Sequence, residues 1–184
     1  MNEQLIIDLI TYFGKFPTRE AVLNLFNRSN SNFPGYEPLK TAVAGMDPHS
    51  LLPGITGFVV GVNEEVIKKH ISGFKGIYLF IDYGSINIER DELQRENGAF
   101  NLAATLAYPY NPNEHDSIEA ILLAQQTLEL LRSIRKRMLD DQRCGVPWLK
   151  DITFPQEISP WYSRELHNST GWTMVFQKKG IELV

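Results

Sequence analysis

The chain has 184 residues, of which 43% are hydrophobic and 22% are charged, a composition typical of one globular domain with a buried core. Its 18 basic and 22 acidic residues give a formal net charge of -4, which argues against a general affinity for nucleic-acid phosphates. The single cysteine excludes an intramolecular disulfide and a cysteine-built zinc site. The amino-terminal stretch lacks the pattern of a signal peptide, and no apolar run reaches the roughly 20 residues that cross a bilayer, so we expect a cytoplasmic protein.

The first 54 residues are predicted to form a helical appendage and a connector, followed by a main domain over 55–184. A first helix is indicated by apolar residues at helical spacing before Gly14, namely Leu5, Ile6, Leu9, Ile10 and Phe13. Thr18 has the residue type and position of an N-cap for a short second helix. From 27 to 53, clustered Asn, Ser, Pro and Gly predict a connector rich in turns.

The main domain is predicted to begin with a strand, a helix and a second, buried strand. The β-rich residues 55–62 indicate the first strand. A compact helix is expected over 63–73, with Asn63 as its cap and basic residues in its last turn. The nearly continuous apolar run over 76–84 is typical of a strand that is covered on both faces.

The centre of the chain is predicted to continue the sheet. We expect Gly84 and Ser85 to form a turn, with the Asp82 carboxylate accepting hydrogen bonds from its backbone, before a partly exposed strand over 86–90. The next strand, 99–108, alternates between a large apolar face and a small, semi-polar face. The semi-polar face suits either a second protein layer or solvent.

A long helix is predicted over 117–140. Asp116 and Glu119 have the spacing of a capping box at its start. Its core face is expected to contain Ile121, Ala124, Leu128, Leu131, Ile134 and Met138. A late basic cluster comprises Arg132, Arg135, Lys136 and Arg137. These cations suit the negative end of the helix dipole, and the alternative is a patch for a partner or a nucleic acid.

The carboxyl-terminal part is predicted to complete the sheet. Two segments, 144–148 and 154–160, are predicted to be extended, and both are apolar and marked by prolines. Residues 170–177 indicate a strand followed by a turn at Lys178–Gly180. The fold class that follows is α+β, with a mostly antiparallel sheet of four to five strands packed by one long helix.

No residue pattern in the sequence defines an enzyme. Nucleotide-binding, zinc-protease and serine-hydrolase motifs do not occur. A small-molecule site or an enzyme of unknown reaction, centred on Asp82 and His115, is the alternative to a non-enzymatic protein. Cys144 is interpreted as a packing residue that would act as a nucleophile only with a base such as His167 beside it. We expect no metal or cofactor, because the histidines are dispersed and Asp47-Pro-His49 favours a turn.

Aromatic residues near the carboxyl terminus are candidates for a protein interface. Trp172 is expected in the core. Contacts between protomers are predicted for Trp148, Phe154, Trp161 and Tyr162.

Two short motifs and the order of the elements carry a family resemblance. Asp82-Tyr-Gly84 ends the buried strand, and Asn168-Ser-Thr-Gly171-Trp172 opens the last strand. Over 55–177 the chain resembles the tail-terminator and neck-type (tail completion) proteins of tailed phages and of phage-derived elements in bacterial genomes. The resemblance implies a sheet with a long helix on one face, completed by the terminal Gly-Trp strand.

The same resemblance implies a non-enzymatic assembly protein that forms a homo-oligomeric ring at the tail-neck junction and binds a tail-tube or neck protein. It implies no catalytic residue, while the short apolar runs and the net charge of -4 predict no membrane partner and no sequence-specific nucleic-acid partner. The expected location is the cytoplasm during assembly, with the virion as a further one. Structural roles in turns or caps are predicted for Asp82, Gly84, Asp116 and Gly171.

Overall fold

The computed structural model describes residues 3–26, 31–61, 64–90, 96–111, 113, 116–154 and 157–182. The helices are α1 (Glu3–Phe13), α2 (Arg19–Leu23), α3 (Tyr36–Ala44), α4 (Glu64–Ile71) and α5 (Ser117–Arg143), with a short 3₁₀ turn at Pro147–Leu149. The strands are β1 (Gly57–Val60), β2 (Tyr78–Arg90), β3 (Glu96–Tyr108), β4 (Ile152–Thr153), β5 (Ser159–Ser163) and β6 (Ser169–Glu182).

These strands form one mixed sheet in the order β1-β2-β3-β6-β4, with β5 also pairing with β6. β1 and β2 are parallel and are joined through α4, because parallel neighbours need a crossover connection. All the other pairs are antiparallel. The predicted α+β class is confirmed, with six strands in the described residues where four to five were expected.

One face of the sheet packs on α5 and contains most of the core. The predicted alternation in β3 is confirmed, because Phe100, Leu102, Ala104, Leu106 and Tyr108 are all buried. Across this layer α5 contributes Leu131, Ile134 and Met138, each with no exposed surface. Side chains two apart in a strand share a face, so a single alternating pattern places the whole row against the helix.

The opposite face of the sheet is covered at one end and open at the other. α4 packs Ile67 and Ile71 into a second cluster with Tyr78, Phe80 and Ala107. Further along the strands, Asp82, Ala103 and Val175 are paired neighbours, and Val175 is 55% exposed. The semi-polar face of β3 is therefore covered by a second protein layer at one end, where α4 packs, and faces solvent at the other end.

The amino-terminal segment is helical and shares the main core. Leu9 and Phe13 of α1 are completely buried, and the Phe13 ring lies 5.9 Å from that of Phe176 in β6. Thr18 caps α2 as predicted, and its backbone N–H donates to the Ile55 carbonyl at 2.9 Å. The apolar core is thus continuous between the predicted appendage and the sheet.

The predicted connector contains a helix, α3, that composition did not indicate. Its sequence includes Pro38, which lies in the first turn. A proline is tolerated there because the first N–H groups of a helix have no intrahelical acceptor. The prediction of a connector made of turns is therefore wrong for Tyr36–Ala44.

Two predicted turns are strand residues instead. β2 continues from Tyr78 to Arg90 through Gly84 and Ser85, and its pairing with β3 shifts register between Tyr83 and Ile86. A bulge of this kind absorbs extra residues without ending the strand. β6 likewise continues through Lys178–Gly180 to Glu182.

Candidate interaction surface

The start of α5 is fixed by the capping box that the sequence predicts. The Asp116 carboxylate accepts hydrogen bonds from the backbone N–H groups of Ile118 and Glu119, each at 2.8 Å. The Glu119 carboxylate in turn accepts from the Asp116 N–H at 2.9 Å. This reciprocal pair satisfies N–H groups that a helix leaves without internal partners, so α5 begins at a defined position.

The first turns of α5 present large apolar side chains to solvent. Ile118, Ile121 and Leu122 are 61%, 64% and 63% exposed, whereas buried residues begin at Thr127. The predicted core position of Ile121 is therefore wrong. Periodicity defines the angular position of a side chain around the helix, and it does not show how far along the axis the core extends.

The β5–β6 hairpin brings an aromatic residue beside these turns. Tyr162 is 58% exposed and pairs with Thr170, and it lines an open groove of about 320 Å³ together with Tyr108, Ile121 and Ala124. Because residues three and four apart are neighbours on a helix, Ile121 and Leu122 both adjoin Ile118. We call Ile118, Ile121, Leu122 and Tyr162 the apolar patch.

Two polar contacts hold this part of α5 against the sheet. The Tyr108 hydroxyl donates to the Ala120 carbonyl at 3.0 Å, and the Trp172 indole N–H donates to the Ala124 carbonyl at 3.0 Å. Trp172 is half-buried and packs against the main core, in keeping with the predicted role. The helix is thus positioned over the sheet although its outer apolar residues lack cover.

A second groove follows on the same side of α5 and has a different chemistry. Its volume is about 660 Å³, and we call it the basic groove; it is lined by Leu128, Arg132, Arg135, Lys136, Leu139, Ile158 and Trp172. Arg132 and Lys136 are exposed, and no ion pair joins either to a carboxylate among the described residues. Apolar and cationic surface therefore occur together here.

The helix dipole does not explain the basic cluster. α5 continues to Arg143, so Arg132 and Lys136 lie about three and two turns before its end, and the dipole acts mainly within the last turn. Arg137 belongs elsewhere, because its Nε donates to the Asp141 carboxylate at 2.7 Å. The dipole role predicted for the basic cluster is therefore wrong, and the basic residue in the last turn of α5 is Arg143.

The four predicted interface residues do not share one environment. Trp148 is only 7% exposed and stacks on Tyr12 with ring centroids 5.0 Å apart. Phe154 and Trp161 are half-buried, the former against the main core and the latter against the α4 cluster. Tyr162 is the one of the four that is largely exposed, and we retain it alone for the candidate surface.

The predicted structural residues lie apart from each other. Asp82 is half-buried on the open half of the sheet, and burial raises the pKa of its carboxyl group. Its predicted bonds to a turn are not observed, since the chain does not turn at Gly84. Gly171 lies within β6, where β3 and β5 flank it on both sides.

Among the described residues, the side chains predicted as candidates for catalysis or metal binding do not come together in one site. His115 lies outside them, as does the helix cap Asn63. Cys144 is exposed and follows α5, and His167 is an exposed residue whose ring lies 3.3 Å from the Lys68 carbonyl. No group of three metal-ligating side chains occurs within the described part of the chain.

Asp47 and His49 form the predicted turn. The Asp47 carboxylate accepts a hydrogen bond from the His49 backbone N–H at 2.9 Å and contacts the His49 ring at 2.8 Å. These bonds, first the backbone one and then the one from the ring, lower the pKa of Asp47. Both side chains are exposed, so the pair is turn chemistry.

A buried polar cluster that the sequence did not indicate joins α1 to α5. The Asp141 carboxylate accepts hydrogen bonds from the Tyr12 hydroxyl at 2.9 Å, from Lys15 Nζ at 2.5 Å and from Arg137 Nε at 2.7 Å. The Asp141 side chain is only 9% exposed. We name Tyr12, Lys15, Arg137 and Asp141 the Asp141 cluster. Its one local signal in the sequence is the four-residue spacing of Arg137 and Asp141.

Comparison with protein-family models, with curated proteins and with solved structures finds no match for this chain. Within the described ranges, no helix has both the length and the apolar character that a membrane crossing requires.

Proposed function

We propose that this protein is a non-enzymatic assembly protein of a phage or prophage-like element, which self-associates into a ring at the tail-neck junction. The observation that carries the proposal is the apolar patch. Three large aliphatic side chains are largely exposed on the first turns of a well-capped helix, and the exposed Tyr162 of β5 lies beside one of them, Ile121. Contiguous exposed apolar surface of this kind marks sites of protein–protein contact.

Burial of this patch in a protein interface is energetically favourable. Full burial of one aliphatic side chain contributes about 1.5–3 kcal/mol, so covering the exposed part of Ile118, Ile121 and Leu122 contributes about 1–2 kcal/mol each. Tyrosine is enriched at interfaces because it combines a large apolar ring with a polar group that can hydrogen-bond. The patch therefore has the composition that protein interfaces share.

The phage assignment rests on the resemblance over 55–177, and the fold supports it. A sheet with one long helix on its face is the arrangement that the resemblance implies. The strand containing Gly171 and Trp172 takes its place within that sheet. On this proposal the ring assembles in the cytoplasm and binds a tail-tube or neck protein, with the virion as its final location.

The double substitution Ile121→Asp/Leu122→Asp tests the proposal. Two carboxylates in a covered interface would each require desolvation, so we expect self-association at least about tenfold weaker than that of the wild-type protein. Sedimentation velocity over a range of concentrations measures this change. Because both residues are exposed, the unfolding midpoint should change little.

A matched control variant distinguishes loss of the patch from loss of exposed apolar surface elsewhere on the protein. Phe33→Asp removes a residue that is 76% exposed and does not belong to the patch. This variant should associate as the wild-type chain does. Equal association of the wild-type protein and the double variant would contradict the assignment of the interface to the patch.

A further inference from the structure

The basic groove presents cations between two apolar ends. Along α5 its residues follow each other on one side of the helix, at spacings of three and four, in the order Leu128, Arg132, Arg135 or Lys136, and Leu139. At 1.5 Å per residue the two leucines are about 16 Å apart, which is three helical turns. The groove therefore has an apolar end, a cationic middle and a second apolar end.

The lining that α5 does not supply is apolar. It consists of Trp172 in β6 and of Ile158, which immediately precedes β5, and both side chains are half-buried. The hydrogen bond from the Trp172 indole to the Ala124 carbonyl holds the ring beside the helix. A ligand in this groove therefore contacts apolar surface as well as cations.

The acidic side chains near the groove are engaged elsewhere. Glu129 is three residues from Arg132, but it does not line the groove, and its carboxylate accepts a hydrogen bond from Gln125 Nε2 at 2.9 Å, one turn toward the start of α5. The Asp141 carboxylate is held within the Asp141 cluster, and that of Glu157 accepts from a neighbouring serine hydroxyl. No carboxylate among the described residues lines the groove, so its charge favours an anionic ligand.

We infer that the basic groove binds an acidic amphipathic helix of a partner protein. A helix that lies along α5 has the same rise per residue, so equal spacings on the two helices bring side chains opposite each other. Apolar residues at positions i and i+11 of the partner face Leu128 and Leu139. Acidic residues at i+4 and i+8 face Arg132 and Lys136. Amphipathic helices bind grooves through residues at such spacings, and opposed charges determine the register.

A second copy of this chain does not supply this helix. None of the described helices α1 to α5 has two acidic residues three or four positions apart, which is the spacing that faces the groove cations. The inference therefore concerns a different protein. It goes beyond the proposed self-association, which is assigned to the apolar patch.

A synthetic peptide of about 18 residues, long enough to populate a helix, tests the inference. It carries Leu, Glu, Glu and Leu at i, i+4, i+8 and i+11, with Ala and Gln elsewhere, and a second peptide has Lys in place of both Glu residues. Fluorescence anisotropy of the labelled peptides measures binding. The wild-type protein should bind the acidic peptide, with an affinity that falls as salt is added, and the lysine peptide at least about tenfold more weakly.

Reversing the charge of the groove should exchange these preferences. Arg132→Glu/Lys136→Glu should bind the acidic peptide at least about tenfold more weakly than the wild-type protein and should bind the lysine peptide more tightly. A loss of folding would weaken both. Lys69→Glu/Lys75→Glu, which reverses two exposed cations outside the groove, is the matched control and should bind both peptides as the wild-type protein does.

Two results would overturn the inference: a wild-type protein that does not bind the acidic peptide, and equal binding of that peptide by the two charge-reversal variants. Binding of single-stranded oligothymidylate in place of the peptide, abolished by Arg132→Glu/Lys136→Glu, would also overturn it and assign the groove to a nucleic acid. The proposed function fails or holds separately, because Ile121→Asp/Leu122→Asp should weaken self-association and leave peptide binding unchanged.

Discussion

Gly171→Ala is expected to destabilise the fold by about 3 kcal/mol, the upper part of the range for adding atoms to a packed interior. A Cβ at position 171 would lie against the Leu106 carbonyl oxygen and 2.7 Å from the Ala107 Cα. Both are backbone atoms of β3, and β5 flanks Gly171 on the other side, so neither neighbour can move away cheaply. Urea denaturation should show a lower midpoint with an unchanged slope.

Gly84→Ala is the matched control for this prediction. The nearest atom to a Cβ at position 84 is the Asn101 carbonyl oxygen at 3.6 Å, an ordinary contact distance. Since the residue is also exposed, we expect a change within about 0.5 kcal/mol. Similar losses from the two substitutions would show that close approach of β3 and β6 is not what requires glycine at 171.

Asp141→Ala should lower the free energy of unfolding by about 3 kcal/mol, the lower end of the range for a fully buried ion pair, because Lys15 and Arg137 keep contact with solvent. The substitution removes the acceptor for Tyr12, Lys15 and Arg137 together. It leaves the half-buried Lys15 ammonium group without its counter-charge and the Tyr12 hydroxyl without its hydrogen-bond acceptor. Chemical denaturation of the variant and the wild-type protein measures the difference.

The adjacent residue supplies the control. Asp140 is exposed and pairs only loosely with Arg143, at 3.6 Å. Asp140→Ala should therefore cost about 0–1 kcal/mol, as exposed ion pairs do. A loss as large as that of Asp141→Ala would mean that the cluster geometry is not the source of the stability.

The Asp141 cluster should also make stability depend on pH. Burial raises the pKa of Asp141, but the hydrogen bonds from Lys15 and Tyr12 and the charges of Lys15 and Arg137 outweigh burial, so the pKa is lowered overall. Burial lowers the pKa of Lys15, although the neighbouring Asp141 carboxylate acts to raise it. We treat Asp141 as ionised, because three hydrogen-bond donors contact its carboxylate.

A carboxyl group with a lowered folded-state pKa stabilises the fold above its unfolded value of about 3.9. That contribution is lost as the pH falls through the folded-state value. The loss of stability as the pH falls below about 5 should therefore be smaller in Asp141→Asn than in the wild-type protein. Thermal unfolding at a series of pH values compares them, and identical acid profiles would contradict a charged Asp141.

Features that depend on neighbouring residues were predictable from the sequence. The capping box of α5 and the alternation in β3 both arise from local spacing, and both occur in the structure. The turn assigned to Gly84 and Ser85 was wrong because glycine and serine suit a bulge within a strand as well as a turn.

Features that depend on distant contacts were not predictable in this way. Asp141 is 129 residues from Tyr12 and 126 from Lys15, so no local pattern joins them. Trp148 was expected at an interface because its segment looked extended, yet the 3₁₀ turn at Pro147–Leu149 places it against Tyr12. The apolar patch was missed for a related reason, since only the packed structure shows that the core begins at Thr127.

We propose that the wild-type chain assembles with itself into a closed ring. Native mass spectrometry across concentrations from low micromolar upward tests it most directly. A closed ring predicts one discrete species of three or more copies, at a whole multiple of the 21.0 kDa chain mass, which stops growing as the concentration rises. A chain that stays monomeric at every concentration, or that forms only a two-copy species, would contradict it.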